Sequence, residues 1–299
     1  MSKPNVSIGI TAYNEGRTIK SLLINLLKQK QFNYQLNKIV VILDGCTDAS
    51  KRQVKQVKSQ KIFLIDDQKR QGKTFRLNQL LKTLTGDIII FVDADVQLAN
   101  DYILGELVRS FTIQPKVGMV GAKVIPQEGK SFISKAIFSS VKAYVSYAES
   151  LNRGNNIYTC KGPMIGLSRS FARNITIPKN VFAGDAYLYF FCISRGFKYL
   201  YAKKAVVYYK LPEILSEHLK QNARFESADK NLVPIYGDLV NQEFKKDNQL
   251  FYYALFTEFI REPVYSLAIM LINLYSRLQT KLSPQNIPSK WSIAKSTKT

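Results

Sequence analysis

Two aspartates one residue apart, Asp93-Ala94-Asp95, end the clearest strand-like run of the chain, residues 87–92. Carboxylates at i and i+2 both point outward where a strand turns into a loop. Hard cations such as Mg2+ or Mn2+ take oxygen ligands, usually one or two protein carboxylates plus substrate phosphates. The same pair also suits a solvated strand end with Asp95 as a helix cap, and spacing alone does not separate the two readings. A second acidic turn, Asp44-Gly45-Cys46-Thr47-Asp48, follows the apolar run 39–43. Asp48 reads as an N-cap. Asp44, one step past the strand, is free to accept a hydrogen bond from a ligand such as a base N–H. Gly72-Lys73 opens a helix and would set a lysine and helix N-terminal amides near a phosphate. It lacks the glycines and Ser/Thr of the phosphate-cradling loop of nucleotide hydrolases, and an ordinary loop lysine is the plain alternative. The single histidine, His218, lies three residues before Gln221 and reads as structural rather than as a metal ligand.

These residues need a scaffold that brings them to one edge. Residues 6–10 read as a strand, followed by Ile19, Leu22, Leu23, Leu26 and Leu27 at helical spacing. Runs 39–43 and 62–65 are short and apolar, as buried parallel strands are. Between and after them come a helix with Val54 and Val57 and another with Leu77, Leu80, Leu81 and Leu84. A helix over 103–111 and a strand over 117–124 follow. The alternation predicts an α/β fold, a mostly parallel sheet with helices on both faces. Ligands of such a sheet bind outside the carboxyl ends of its strands, where Thr11 to Glu15, Asp44, Lys73, Asp93 and Asp95 all fall. Further on, a helix is expected over 133–148, a polar Gly-containing stretch over 152–169, helices over 184–195 and 212–230, and a strand over 199–209. The last twenty residues read as a loose basic tail.

Taken together, Thr11-Ala12-Tyr13-Asn14-Glu15-Gly16, Asp44-Gly45-Cys46-Thr47-Asp48, Gly72-Lys73 with Leu77-Asn78, and Asp93-Ala94-Asp95 resemble the motif series of a family 2 glycosyltransferase with the GT-A fold. Gly162 to Arg169, Gly184-Asp185 and Gln221-Asn222-Ala223-Arg224-Phe225 extend the resemblance to about residue 230. It implies that Thr11, Tyr13, Glu15 and Asp44 line the nucleoside pocket, with Asp44 reading the base. It implies that Lys73 and Asp93 lie at the nucleotide and that Asp95, beside Asp93, binds Mg2+ or Mn2+ at the diphosphate. Asp185 matches the general base. Gln221, Arg224 and Phe225 match the Gln-x-x-Arg-Trp motif of membrane-associated polysaccharide and glycolipid synthases, which closes over acceptor and diphosphate. Three positions depart from the pattern: Leu43-Asp44 for Asp-Asp, Gly184-Asp185 for Glu-Asp, and Phe225 for Trp.

The implied activity is inverting transfer of a sugar from a nucleotide-sugar, a UDP-sugar ahead of GDP-mannose, to a saccharide or lipid-linked acceptor. The competing readings are a non-enzymatic scaffold and a sugar nucleotidyltransferase. The second would carry a glycine-rich, Arg-containing loop after the first strand, which residues 11–16 lack. With 46% hydrophobic residues the chain buries a large core, and its three cysteines are too few and scattered for a disulfide framework or zinc site. A net charge of +21 asks for an anionic partner, but the basic residues are spread along the chain rather than gathered in a nucleic-acid module. No nucleic-acid partner is expected. No signal-peptide pattern is read at residues 1–5. The expected organisation is a catalytic domain over 1–235, with a nucleotide-sugar half (1–125) and an acceptor half (126–235), then an apolar helical segment and basic tail over 236–299. The run 264–275 is shorter than the roughly 20 residues a spanning helix needs. Segment 250–278 is therefore expected to lie on the anionic cytoplasmic face of the cell membrane, with a soluble cytoplasmic protein and a packed helix pair as the alternative.

Overall fold

The structure, a computed structural model, describes residues 2–181, 183–226, 228–282 and 295–298, without the side chains of 223–226, 228–230, 279–282, 295 and 298. In chain order the elements are β1 (Asn5–Ala12), α1 (Ile19–Lys28), β2 (Gln35–Asp44), α2 (Ser50–Gln56), β3 (Ile62–Asp67), α3 (Lys73–Thr83), β4 (Ile88–Asp93), β5 (Gln97–Leu98), α4 (Ile103–Ser110) and β6 (Val117–Gln127). Then come α5 (Phe132–Ser150), β7 (Met164–Ser168), α6 (Arg169–Ala172), α7 (Gly184–Ser194), β8 (Lys198–Lys210), α8 (Leu215–Glu226), α9 (Ala228–Tyr236), α10 (Asp238–Glu243), α11 (Asn248–Arg261) and α12 (Pro263–Leu282).

Residues 1–125 and 160–209 make one compact unit, and residues 126–159 and 210–297 make another. The first holds the sheet, in the order β3-β2-β1-β4-β7-β6-β8-β5. The parallel expectation holds for β1 to β4, each paired in parallel with its neighbour. Beyond them the sheet turns antiparallel, β7 running against both β4 and β6, and β5 against β8. Strand β7 falls inside the stretch 152–169 read as polar and Gly-containing. Its Met164, Ile165 and Leu167 are buried, so sheet pairing on both sides claims a segment too short, and interrupted by Gly166, to announce itself by periodicity.

Successive side chains of a strand face opposite ways, and β1 shows both faces covered. Val6, Ile8 and Ile10 join one core with Ile19, Leu22, Leu23 and Leu26 of α1. Each such fully buried aliphatic contributes about 1.5–3 kcal/mol. Between them, a Cβ added at Gly9 would stand 2.8 Å from Leu84 and 2.9 Å from Leu80, so the missing side chain admits the helix on the other face. α7 is buried nearly all round, through Tyr187, Leu188, Tyr189, Phe190 and Cys192, and it carries Asp185 in its first turn.

In the second unit α11 and α12 pack on α5. Lys142 of α5 pairs with the buried Glu258 of α11 at 2.7 Å. Tyr147 meets Tyr158 and Phe251 edge-on or tilted, with centroids 5.4 and 5.3 Å away. Much of the expected tail, residues 283–294 and 299, lies outside the described residues.

Candidate active site

The loops after β1 and β2 are laced together. Asn14 takes a left-handed φ of 55°, and its side-chain carbonyl accepts the Thr47 N–H at 2.8 Å. Asparagine tolerates this conformation better than most residues. The Glu15 N–H donates to Ser50 Oγ at 2.8 Å and the Gly16 N–H to Asp48 Oδ2 at 2.8 Å. Asp48 also accepts the Ser50 N–H at 2.9 Å, one residue before the N-cap position that α2 gives to Ala49. The Glu15 side chain is buried and accepts from the Thr18 hydroxyl at 3.2 Å. Thr11 pairs in register with Asp93, and the Arg70 guanidinium lies 4.0 Å over the Tyr13 ring.

Asp44 is not free, as the sequence reading had it. Its Oδ1 accepts the Gln71 N–H and Arg76 Nε–H, both at 2.7 Å, and its Oδ2 accepts the Gly72 N–H at 2.8 Å. Arg76 sits one turn into α3, fully buried, and also bonds Asp67 Oδ2 at 2.7 Å and the Lys69 carbonyl at 2.7 Å. The Lys69 N–H and then Arg76 hold the Asp67 carboxyl below the usual aspartate range. Sequence reasoning missed Arg76. The available signal was an arginine on the apolar stripe Leu77, Leu80 and Leu81, where a charge needs carboxylates.

Lys73 begins α3, behind Gly72 at a φ of 96° that only glycine takes without strain. Its Nζ donates to Asp93 Oδ1 at 2.5 Å. Asp93, at the end of β4, also gives its backbone N–H to the Pro163 carbonyl at 2.9 Å, which brings the loop before β7 alongside. There the Gly162 N–H donates to Asp185 Oδ2 at 2.9 Å. A Cβ at Gly162 would stand 3.4 Å from Asp185 Oδ2 and 3.6 Å from Lys73 Nζ. Burial alone would lower the Lys73 ammonium. Asp93, by charge and hydrogen bond, then Asp185 and Asp95 outweigh it and hold lysine above its ordinary value. Burial pushes the Asp185 carboxyl up, opposed chiefly by the Lys73 charge.

The structure thus brings Lys73, Asp93, Asp95 and Asp185 into one electrostatic cluster, at the strand edge that also carries Thr11, Tyr13, Glu15 and Asp44. Asp185, expected in an acceptor half spanning 126–235, belongs to the same compact unit as these residues. Among the described residues no group of three His, Cys, Asp or Glu is placed to hold a metal. Three carboxylates against one ammonium nevertheless leave hard oxygen donors with net negative charge, a set that suits a hard cation completing its shell with phosphate oxygens and water. Gln221, Arg224 and Phe225 lie on α8 in the second unit. The side chains of Arg224 and Phe225 are outside the described residues. His218, buried on the same helix, contacts Asn222 Nδ2 at 3.1 Å, and Asn222 in turn donates to Asn273 Oδ1 at 3.1 Å. Burial holds it below the ordinary histidine value, as its structural reading expects.

The sequence profile described as "Glycosyl transferase family 2" matches residues 7–176. A poly-beta-1,6-N-acetyl-D-glucosamine synthase of Staphylococcus aureus (strain COL) is 25% identical over 237 residues, 75% of this chain and 56% of that protein. Its Staphylococcus epidermidis counterpart is 24% identical over 162 residues, 52% of this chain and 38% of that protein. The chain therefore spans little more than half the length of the first of these relatives. Among solved structures, mannosyltransferase PcManGT from Pyrobaculum calidifontis, in complex with GDP-Man and Mn2+, superposes with a TM-score of 0.59 at 16% identity, covering 95% of this chain and 82% of that one. Glucosyl-3-phosphoglycerate synthase from Mycobacterium tuberculosis, in complex with Mn2+, UDP and glucosyl-3-phosphoglycerate, gives 0.52 at 15% identity, with 78% and 80% covered. The likeness establishes the GT-A fold.

Proposed function

The chain belongs to glycosyl transferase family 2, and we propose that it is an inverting glycosyltransferase moving a sugar from a nucleotide-sugar to a hydroxyl acceptor. The observation that carries this reading is the cluster at Gly162, where a single added carbon would touch both Asp185 and Lys73, itself bonded to Asp93. An acid-base group beside a phosphate-binding cation is what a displacement at an anomeric carbon requires. The acceptor oxygen forms its bond to that carbon as the bond to the diphosphate breaks, and Asp185 takes the hydroxyl proton. A carboxyl raised by burial is a stronger base than an ordinary aspartate, and the Gly162 N–H fixes its orientation. Lys73 offsets charge on the departing diphosphate. Asp95 and Asp93 are the residues that would hold Mg2+ or Mn2+, which when bound supplies Lewis-acid stabilisation of the same oxygens. By the family resemblance, Arg224 adds charge-assisted hydrogen bonds to the diphosphate, while Gln221 and Phe225 close over the acceptor.

A UDP-sugar is the donor we favour, and a lipid-linked saccharide or growing polysaccharide the acceptor. Attachment to the cytoplasmic membrane face fits both. No helix among the described residues is long and apolar enough to cross a membrane. α11 and α12 instead pack on α5 by one side and leave Tyr253 70%, Phe256 61% and Met270 60% exposed.

Incubation with UDP-sugars and GDP-mannose in Mn2+ tests the activity. Slow release of UDP supports the transferase. UTP-dependent pyrophosphate release would replace it with a nucleotidyltransferase, and neither signal would leave a scaffold.

A further inference from the structure

A carboxylate offers about four acceptor positions, two on each oxygen. In Asp44 three are taken: two on Oδ1, by Gln71 and Arg76, and one on Oδ2, by Gly72. The occupants are fixed. Arg76 is fully buried and bonded at Nε and both terminal nitrogens, to Asp44, Asp67, Gln79 and Lys69. The loop carrying Gln71 and Gly72 is pinned as well. The Gly45 N–H donates to the Asp67 carbonyl at 2.8 Å, and a Cβ at Gly45 would reach within 2.8 Å of Arg70 N. Only 7% of the Asp44 side chain is exposed.

We propose that Arg76 sets the base specificity of the donor site, by filling Asp44 Oδ1 and leaving one vacant acceptor position, on Oδ2. Uracil presents a single ring N–H. Guanine presents a ring N–H and an adjacent amino N–H, which a carboxylate satisfies only with both oxygens. Against Asp44 held in this way, guanine leaves one donor buried and unmade, a loss that converts to roughly tenfold or more in affinity. The site is accordingly a uridine site. Arg76 is a positioning residue in this account: it never touches the nucleotide. The inference rests on the reading of Asp44 as the residue that meets the base.

Calorimetric titration of the full chain with UDP, 3-methyl-UDP, IDP and GDP tests it. Hypoxanthine is guanine without the amino group, so purine size is held constant between IDP and GDP. The expected result is that IDP binds about tenfold tighter than GDP, and that Arg76→Met brings the two within about threefold. Equal binding of IDP and GDP by the unaltered protein overturns the proposal, and that comparison needs no variant to fold. So does an Arg76→Met protein that weakens UDP, IDP and GDP by one common factor, which would make Arg76 a purely structural residue. If 3-methyl-UDP, which lacks the ring N–H, binds as well as UDP, then Asp44 does not read the base. The pocket assignment then falls together with this inference, whereas a missing IDP/GDP gap alone removes only the role of Arg76.

Discussion

Lys73 Nζ donates to Asp93 Oδ1 at 2.5 Å, joining the first residue of α3 to the last residue of β4. The bond ties a helix start to a strand end across the sheet edge, and its lysine charge opposes the burial that raises a third group, Asp185. Lys73 feels Asp185 and Asp95 as well as Asp93, and Asp185 feels Lys73 as its main opposing influence to burial. One ammonium therefore serves as anchor for Asp93 and as counter-charge for Asp185.

Replacing Lys73 with Met separates these roles. A charge-assisted hydrogen bond is worth about 1.5–3 kcal/mol, so nucleoside diphosphate affinity is expected to fall about 10- to 100-fold. The Lys73 charge lowers Asp185, so its loss lets burial push that carboxyl further up. The acid limb of the residual activity then moves to higher pH, because the base works only when ionised. A pH–rate profile that keeps its acid limb in Lys73→Met would show that the two groups are not coupled.

Asp185→Asn is expected to lower turnover by about 100- to 10,000-fold, the usual worth of a positioned base, with UDP affinity within about threefold of the unaltered protein. In the unaltered protein kcat/KM should rise with pH through an apparent pKa above the ordinary aspartate range, the direction in which burial moves Asp185. Titration calorimetry beside single-turnover assays decides. Collapse of UDP affinity would make Asp185 a donor-site or structural group.

For the cation, Asp95→Asn should abolish the Mn2+-dependent part of UDP stabilisation in thermal unfolding while the metal-free melting temperature stays within a few degrees. Undiminished transfer in excess chelator would remove the metal from the reaction altogether.

Much of this site was legible because GT-A chemistry is placed at strand ends, and strand ends are where sequence periodicity breaks. Asp93 and Asp44 each stand one step past an apolar run and Lys73 follows the helix-opening Gly72, and each lies at the edge. What the sequence hid was pairing. Nothing in residues 164–168 marks a strand, since β7 gains its burial from β4 and β6, whose paired residues lie more than forty residues earlier. Nor does the spacing of Asp44, Asp67 and Arg76 reveal that the arginine occupies the carboxylate assigned to the ligand, because that bond joins β2 to α3 through a loop held at Gly45. Asp185 was found by motif: chain order put it in an acceptor half over 126–235, and packing puts α7 in one compact unit with the sheet.

The exposed faces of α11 and α12 carry the last prediction. Among the described residues they present Tyr252, Tyr253, Phe256, Phe259 and Ile260 on α11 and Val264, Leu267, Met270, Leu271 and Leu274 on α12, all at least 46% exposed. The two helices already pack on α5, with Ala254, Glu258 and Ile269 buried, so these exposed side chains are surplus to that packing. Aromatic residues with an apolar body and polar tip suit the lipid headgroup level, and Lys246, Arg261 and Arg277 on and beside the two helices add attraction to anionic lipid. Burying a Phe side chain is worth about 1.5–3 kcal/mol. The double change Phe256→Ser and Phe259→Ser is therefore expected to cut binding to vesicles containing phosphatidylglycerol by about 100-fold or more, with melting temperature little changed because neither ring is buried. Flotation of the full chain with vesicles of phosphatidylglycerol and of pure phosphatidylcholine measures both contributions. Binding to the anionic vesicles that weakens with salt and with the serine pair is the expected outcome. A chain that stays at the bottom of the gradient with both lipids, or that floats equally well with the serine pair, would show that this surface does not meet a membrane.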